Sequence, residues 1–249
     1  MELKLKPHQI SAIRKMHNGC ILCGGTGSGK SITGLAYYFI QNGGKLNPMT
    51  KMKNPKDLYI ITTAKKRDSG EWIGDMSWFY LTPDDKSKIY DHKVVIDSWN
   101  NIKKYANVQN SFFIFDEQRV VGYGAWTKAF LKIAKSNEWI LLSATPGDNY
   151  MDYMPVFIAN GFYKNKSEFT AEHCVYSRFS KFPQIERFIG TERLNRLRRK
   201  VLVDMPYEKP AVQNHEDVWC SFDKEAYKDL MKNRFDYEKG EPIENVSEL

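Results

Sequence analysis

The sequence predicts an α/β fold, a mainly parallel sheet flanked by helices. Three observations predict it: short apolar runs recur along the chain, helical-period segments lie between them, and a glycine-rich octapeptide joins the first run to the first helix. The runs are Gly19 to Cys23, Leu58 to Ile61, Val94 to Ile96, Phe112 to Phe115 and Trp139 to Leu142. Runs this short and this continuously apolar suit strands covered on both faces, as parallel strands are.

Taken in order, the first run leads into Gly24-Gly25-Thr26-Gly27-Ser28-Gly29-Lys30-Ser31, which fits the phosphate-loop pattern GxxxxGK[ST]. Glycines there allow backbone angles closed to other residues, so that successive N–H groups can curl round an anion. The following helix, Ile32 to Gln41, carries Leu35, Tyr38 and Phe39 at helical spacing and points its positive end at the same anion. Residues Gly25 to Ser31 are therefore expected to bind a nucleoside triphosphate. Lys30 would reach the β- and γ-phosphates, and the Ser31 hydroxyl would ligate Mg²⁺.

Asn42 to Lys56, rich in asparagine and lysine with Pro48 and Pro55, reads as an exposed loop. Between Phe115 and Trp139, the residues Trp126, Phe130, Ile133 and Ala134 share one helix face, as in a crossover helix that covers a sheet. Such sheets place ligands at the carboxyl ends of their strands. Those ends read Thr62 to Arg67, Asp97-Ser98-Trp99, Asp116 to Arg119, and Ser143-Ala144-Thr145-Pro146. Asp116 is placed to hold the Mg²⁺ shell with Ser31, and Glu117 to polarise an attacking water. With Lys30 these are the expected catalytic residues.

The chain has 249 residues, 42% of them hydrophobic, enough for a substantial core. Its net charge of +7 is compatible with a polyanionic partner. No run approaches the roughly 20 apolar residues of a membrane span, so a cytoplasmic protein without membrane attachment is expected. Of the four cysteines, Cys20 and Cys23 form one C-x-x-C with no second pair to complete a zinc site, and read as core. Trp72, Trp78, Phe79 and Tyr80 also read as core. Arg193, Arg196, Arg199 and Lys200 fall on one helix face, a stripe that suits DNA or a second domain.

With these motifs in this order, the sequence resembles superfamily 2 helicases and translocases, specifically the first RecA-like lobe of the Swi/Snf-like group and its phage relatives. The resemblance implies a phosphate-loop ATPase using ATP and Mg²⁺. It implies that Gln9, in Leu5-Lys6-Pro7-His8-Gln9, reads adenine, and that Thr63, Lys65, Lys66, Arg67 and Ser98 lie along a nucleic-acid backbone. It implies that Asp116-Glu117-Gln118-Arg119 is the DEAD/DEAH-type box, and that Gln118, Arg119, Ser143, Ala144 and Thr145 couple hydrolysis to movement. Arg119 stands where the DEAH pattern has histidine.

Asn195 to Lys200 followed by Asp204-Met205-Pro206, then Val218 to Leu230, is similar to the segment that closes the first lobe in that group. On this resemblance residues 1–165 form the ATP-binding core, 166–235 close the lobe, and 236–249 are a tail or the start of a linker. The expected partners are DNA, with RNA not excluded, and a second RecA-like lobe supplied in trans or lost by truncation. The expected setting is the cytoplasm of a bacterial or phage-infected cell. Rival readings are a phage packaging-type motor ATPase and a non-hydrolysing, nucleotide-gated DNA-binding subunit. Gln9 ahead of the phosphate loop and the absence of clustered downstream acids favour the helicase-type reading.

Overall fold

The computed structural model describes residues 3–83, 90–117, 123–180, 182–207, 221, 223–236 and 241–242. The chain divides into two units, Met1–Glu208 and Lys209–Leu249. In the first, helix α1 (Pro7–Lys15) precedes β1 (Ile21–Cys23), α2 (Lys30–Gln41) and a small hairpin of β2 (Lys45–Leu46) with β3 (Met49–Thr50). Then come β4 (Leu58–Thr62), α3 (Ala64–Asp68), α4 (Glu71–Ser77), β5 (Val94–Ser98), a 3-10 segment Trp99–Tyr105, and β6 (Phe112–Asp116). The unit continues through α5 (Ala125–Ala134), β7 (Glu138–Ser143), α6 (Tyr150–Ala159), α7 (Lys166–His173), a hairpin of β8 (Cys174–Tyr176) with β9 (Ile185–Phe188), α8 (Thr191–Val201) and β10 (Leu202–Asp204). In the second unit, α9 (Lys224–Asn233) is followed by β11 (Phe235–Asp236) and β12 (Glu241–Pro242), which pair antiparallel.

Six strands form one sheet in the order β10-β1-β7-β6-β4-β5, and every pair in it is parallel. All five apolar runs became strands of this sheet. Alternate residues serve opposite faces, as the two-residue period of a strand requires. Leu58, Ile60, Phe112, Ile114, Ile140 and Leu142 pack with Leu35, Phe39, Trp72 and Phe79 on the face covered by α1, α2 and α4. Tyr59, Ile61, Phe113, Phe115, Trp139 and Leu141 pack with Phe130, Ile133, Tyr153 and Phe157 on the face covered by α5 and α6. The all-apolar runs follow from this double coverage.

Local sequence sets the helix starts. Pro7 occupies the first turn of α1, where its missing N–H costs nothing. The Thr63 side chain accepts from the Lys66 N–H at the start of α3, and Asn165 accepts from the Glu168 N–H at the start of α7. Three details differ from the sequence reading. Leu202–Asp204 forms the sixth strand, beside β1, because the chain leaves α8 directly into the open edge there. The loop after α2 holds the β2–β3 hairpin and buries Met52. Tyr80 is 52% exposed, whereas Trp72 and Phe79 lie in the core as expected.

Candidate active site

Parallel register brings the strand ends into a line. Cys23 lies beside Ser143, Leu142 beside Asp116, Ile61 beside Phe115, and Thr62 beside Ser98. The Gly24 N–H donates to the Ser143 carbonyl at 3.2 Å, so the octapeptide leaves the sheet next to the end of β7. A cleft of about 750 Å³ opens over these ends. Thr26, Gly27, Gly29, Lys30, Ser31, Thr63, Lys65, Lys66, Asp116, Glu117, Ser143, Ala144 and Thr145 line it, with Glu71 and Asp75 from α4. Residues from four separate stretches of sequence thus meet at one place, within the size range of small-molecule sites.

The loop's conformation explains its glycines. Gly27 and Gly29 have φ of 81° and 83°, angles that strain any residue with a Cβ. Gly29 is also crowded, since a Cβ there would lie 2.4 Å from Gln9 Nε2. α2 begins at Lys30, and the first N–H groups of any helix lack intrahelical acceptors. They and the positive helix end face the cleft, which makes it attractive to anions. The Lys30 ammonium donates to the carbonyls of Gly24 and Gly25 at 2.7 and 3.1 Å. Burial lowers the Lys30 pKa; Asp116 pulls it up and Lys66 adds to the lowering. Ser28 turns inward, 2% exposed, with its hydroxyl lacking a hydrogen-bond partner among the described residues.

Gln9 is buried beneath the loop. Its carbonyl oxygen accepts from the Lys6 N–H at 2.7 Å, and its amide donates to the Gly29 carbonyl at 3.4 Å. The structure thus places Gln9 as a brace between α1 and the phosphate loop. His8 hydrogen-bonds the Ser28 carbonyl at 3.2 Å, and its ring lies 5.2 Å from that of Tyr207. These two rings beside the loop had no signal in the sequence beyond the proximity of His8 to Gln9.

Asp116, 1% exposed, is held from three sides. Thr62 Oγ1 donates to its Oδ2 at 2.8 Å, the Lys66 ammonium lies 2.7 Å from the same oxygen, and Trp99 Nε1 donates to its backbone carbonyl at 2.9 Å. Glu117 follows at φ 56°, a left-handed conformation that a non-glycine residue adopts at a cost. Thr145 N–H donates to Ser143 Oγ at 3.1 Å, closing the turn after β7. Gln118 and Arg119 lie outside the described residues.

The residues expected along a nucleic-acid backbone separate into two groups. Thr63, Lys65 and Lys66 line the cleft. Lys66 Nζ lies 3.4 Å from Ser31 Oγ as well as 2.7 Å from Asp116, so it bridges the two oxygens that the sequence reading expects to ligate Mg²⁺. Arg67 instead pairs with Asp68 at 2.7 Å and Asp97 at 3.4 Å. Ser98 is 3% exposed, and its N–H donates to Asp97 at 2.7 Å. Burial opposes ionisation of Asp97, but bonds from Asn101, Tyr105 and the Ser98 N–H hold its carboxyl below the usual range. On α8, Arg193 pairs with Glu172 at 2.6 Å, whereas Arg196 and Arg199 line a second cleft with Asn195, Arg198 and Asp204.

The donor chemistry suits a hard cation. A hydroxyl and a carboxylate oxygen face one spot, and an ammonium group already fits between them. Among the described residues no group of three or more His, Cys, Asp or Glu gathers to form a protein cage. Cys20 and Cys23 are free thiols; burial pushes Cys20 up to about 12. No helix among the described residues is long and apolar enough to cross a membrane.

No protein-family model matches the chain, and no curated protein matches it. Solved structures do. The SWI2/SNF2 ATPase core of Sulfolobus solfataricus in complex with dsDNA aligns over 83% of this chain with a TM-score of 0.58 and 16% identity. The Sulfolobus solfataricus SWI2/SNF2 ATPase core domain aligns over 82% with a TM-score of 0.55 and 17% identity. The chain spans 45% and 44% of those two chains, less than half their length. Its fold, a mainly parallel six-stranded sheet flanked by helices, is therefore similar to that of these two ATPase cores.

Proposed function

We propose that this chain is the ATP-binding, ATP-hydrolysing first lobe of a DNA helicase or translocase, and that it works with a second RecA-like lobe. One observation carries the reading: Lys30, Ser31, Asp116, Glu117 and Ser143 to Thr145 converge on a single cleft at the ends of adjacent parallel strands. Loop N–H groups and Lys30 hold the β- and γ-phosphates. Ser31 and Asp116 would hold Mg²⁺, which when bound would neutralise charge on the phosphate oxygens. Glu117 accepts a proton from the water that attacks the γ-phosphorus, and the bond to the β-γ bridging oxygen breaks with its electrons leaving on ADP.

The end of β7 lies between the phosphate loop and the acid pair, so Ser143 to Thr145 are placed to sense both. A lobe alone lacks charge on the far side of the transferring phosphoryl group, and an arginine there contributes about 10³ to 10⁵ in turnover. Slow turnover by this chain alone is expected, with stimulation by a second lobe and DNA. The dsDNA-bound neighbour supports DNA as the polymer.

ATPase activity measured with and without DNA, for the wild type and Glu117→Gln, tests the proposal. The glutamine variant should retain nucleotide binding and lose turnover. An unchanged rate would overturn the role of Glu117, and DNA binding with intact nucleotide affinity but no turnover under any condition would favour the non-hydrolysing subunit.

A further inference from the structure

Lys66 occupies an unexpected place. Its segment reads as a nucleic-acid contact, yet its ammonium sits at the nucleotide cleft, 2.7 Å from Asp116 Oδ2 and 3.4 Å from Ser31 Oγ. The Trp72 ring lies behind it, 5.4 Å from Nζ to centroid. Two cations cannot share one carboxylate oxygen and one hydroxyl at bonding distance, because the charges would repel at close range in a half-buried site. A destination for the lysine exists nearby. Glu71 and Asp75, one turn apart on α4, line the same cleft, and the Lys66 charge acts on Asp75 against the burial that raises its pKa.

We infer that Lys66 is a resident cation of the metal position: Lys66 and Mg²⁺ exclude one another between Ser31 and Asp116, and seating the metal releases Lys66 toward Glu71 and Asp75. The inference rests on the reading above that Ser31 and Asp116 hold the metal. It adds what the motif does not contain. Without metal, the Lys66 ammonium compensates the charge of the buried Asp116 carboxylate. With metal, the freed lysine changes the contacts of α3, the short helix between β4 and α4 that also carries Lys65 and Arg67. Lys66 is thus a positioning residue that makes Mg²⁺ entry a competition and ties it to the segment after β4.

The experiment measures binding of a fluorescent ADP analogue across a series of free Mg²⁺ concentrations, for the wild type, Lys66→Gln and Lys66→Arg. Removing the competing charge in Lys66→Gln should lower the half-saturating Mg²⁺ by about fivefold or more, the lower end of what linked binding events show. Lys66→Arg keeps the charge and can grip Asp116 with two N–H groups, so its requirement should equal or exceed that of the wild type. Melting with Mg²⁺ alone gives a second readout, in which Mg²⁺ should raise the Tm of Lys66→Gln more than that of the wild type.

An unshifted or higher Mg²⁺ requirement in Lys66→Gln would overturn the inference, as would a lowered one in Lys66→Arg. Loss of nucleotide binding by Lys66→Gln at saturating Mg²⁺ would also overturn it, by making the lysine a phosphate ligand. A wild-type protein that binds no nucleotide at any Mg²⁺ concentration would instead remove the nucleotide site itself.

Discussion

Thr62 Oγ1 donates to Asp116 Oδ2 across 2.8 Å between two neighbouring strands, in a spot where Thr62 is 0% and Asp116 1% exposed. A hydrogen bond to a charged group contributes about 1.5–3 kcal/mol. Thr62→Val keeps the shape and removes the donor, so urea denaturation should show a loss in that range, while Thr62→Ser should stay near the wild type. A valine variant of full stability would remove Thr62 from the support of the carboxylate.

Lys30→Ala removes the ammonium that sits at the mouth of the loop. Mg²⁺-ATP at about a hundred times its dissociation constant should stabilise the wild type by roughly 2.7 kcal/mol. Thermal melts of the variant should show no such shift. An equal shift in both proteins would place the phosphates elsewhere.

Two glycines of the same loop should behave differently. Gly29→Ala forces a Cβ into a φ of 83° and to within 2.4 Å of Gln9 Nε2, so a stability loss of about 1–3 kcal/mol is expected, with weaker nucleotide binding. Gly25 has nothing within 4 Å of an added Cβ and no left-handed φ, so Gly25→Ala should change folding stability by less than about 0.5 kcal/mol. Chemical denaturation of the two variants checks the contrast, and equal losses would contradict the loop conformation.

Asp97 sets an acid limit. Its folded pKa lies below the ordinary carboxylate value of about 3.9, because Asn101, Tyr105 and the Ser98 N–H outweigh the effect of burial. The sign follows: the contribution is fully present above the unfolded value and fades as pH falls through it toward the folded one. Urea midpoints recorded from pH 6 downward should therefore fall more steeply below about pH 4 in the wild type than in Asp97→Asn. Parallel curves would show that Asp97 is not held below its usual range.

The parts of the site that were legible in sequence are those with a local cause. Gly27, Gly29, Lys30 and Ser31 are fixed in spacing by the turn they make, and each apolar run announces a strand because both its faces are covered. Asp116 stands out in the sequence because it directly follows such a run. What escaped depends on contacts between distant segments. Lys66 meets Ser31 only because β4 and β1 belong to one sheet with β6 and β7 between them. Gln9 reaches Gly29 through the packing of α1 against α2, and the burial of Ser98 follows from the bonds gathered on Asp97. β10 was missed for a different reason. Three residues ending in an aspartate carry too little periodicity to mark a strand.

The pairing of β1 has a consequence for how the protein is made. Ile21 pairs with Leu141 on one side and Leu202 on the other, so its second neighbour leaves the ribosome roughly 180 residues after it. At about 5–20 residues per second that interval lasts on the order of 10 to 35 s. Throughout it, Cys20, Ile21 and Leu22 belong to an unfinished sheet whose edge is open to pairing with other chains. The strand that carries the phosphate loop is thus synthesised well before the strand that closes its outer side, and its apolar edge stays uncovered until β10 emerges.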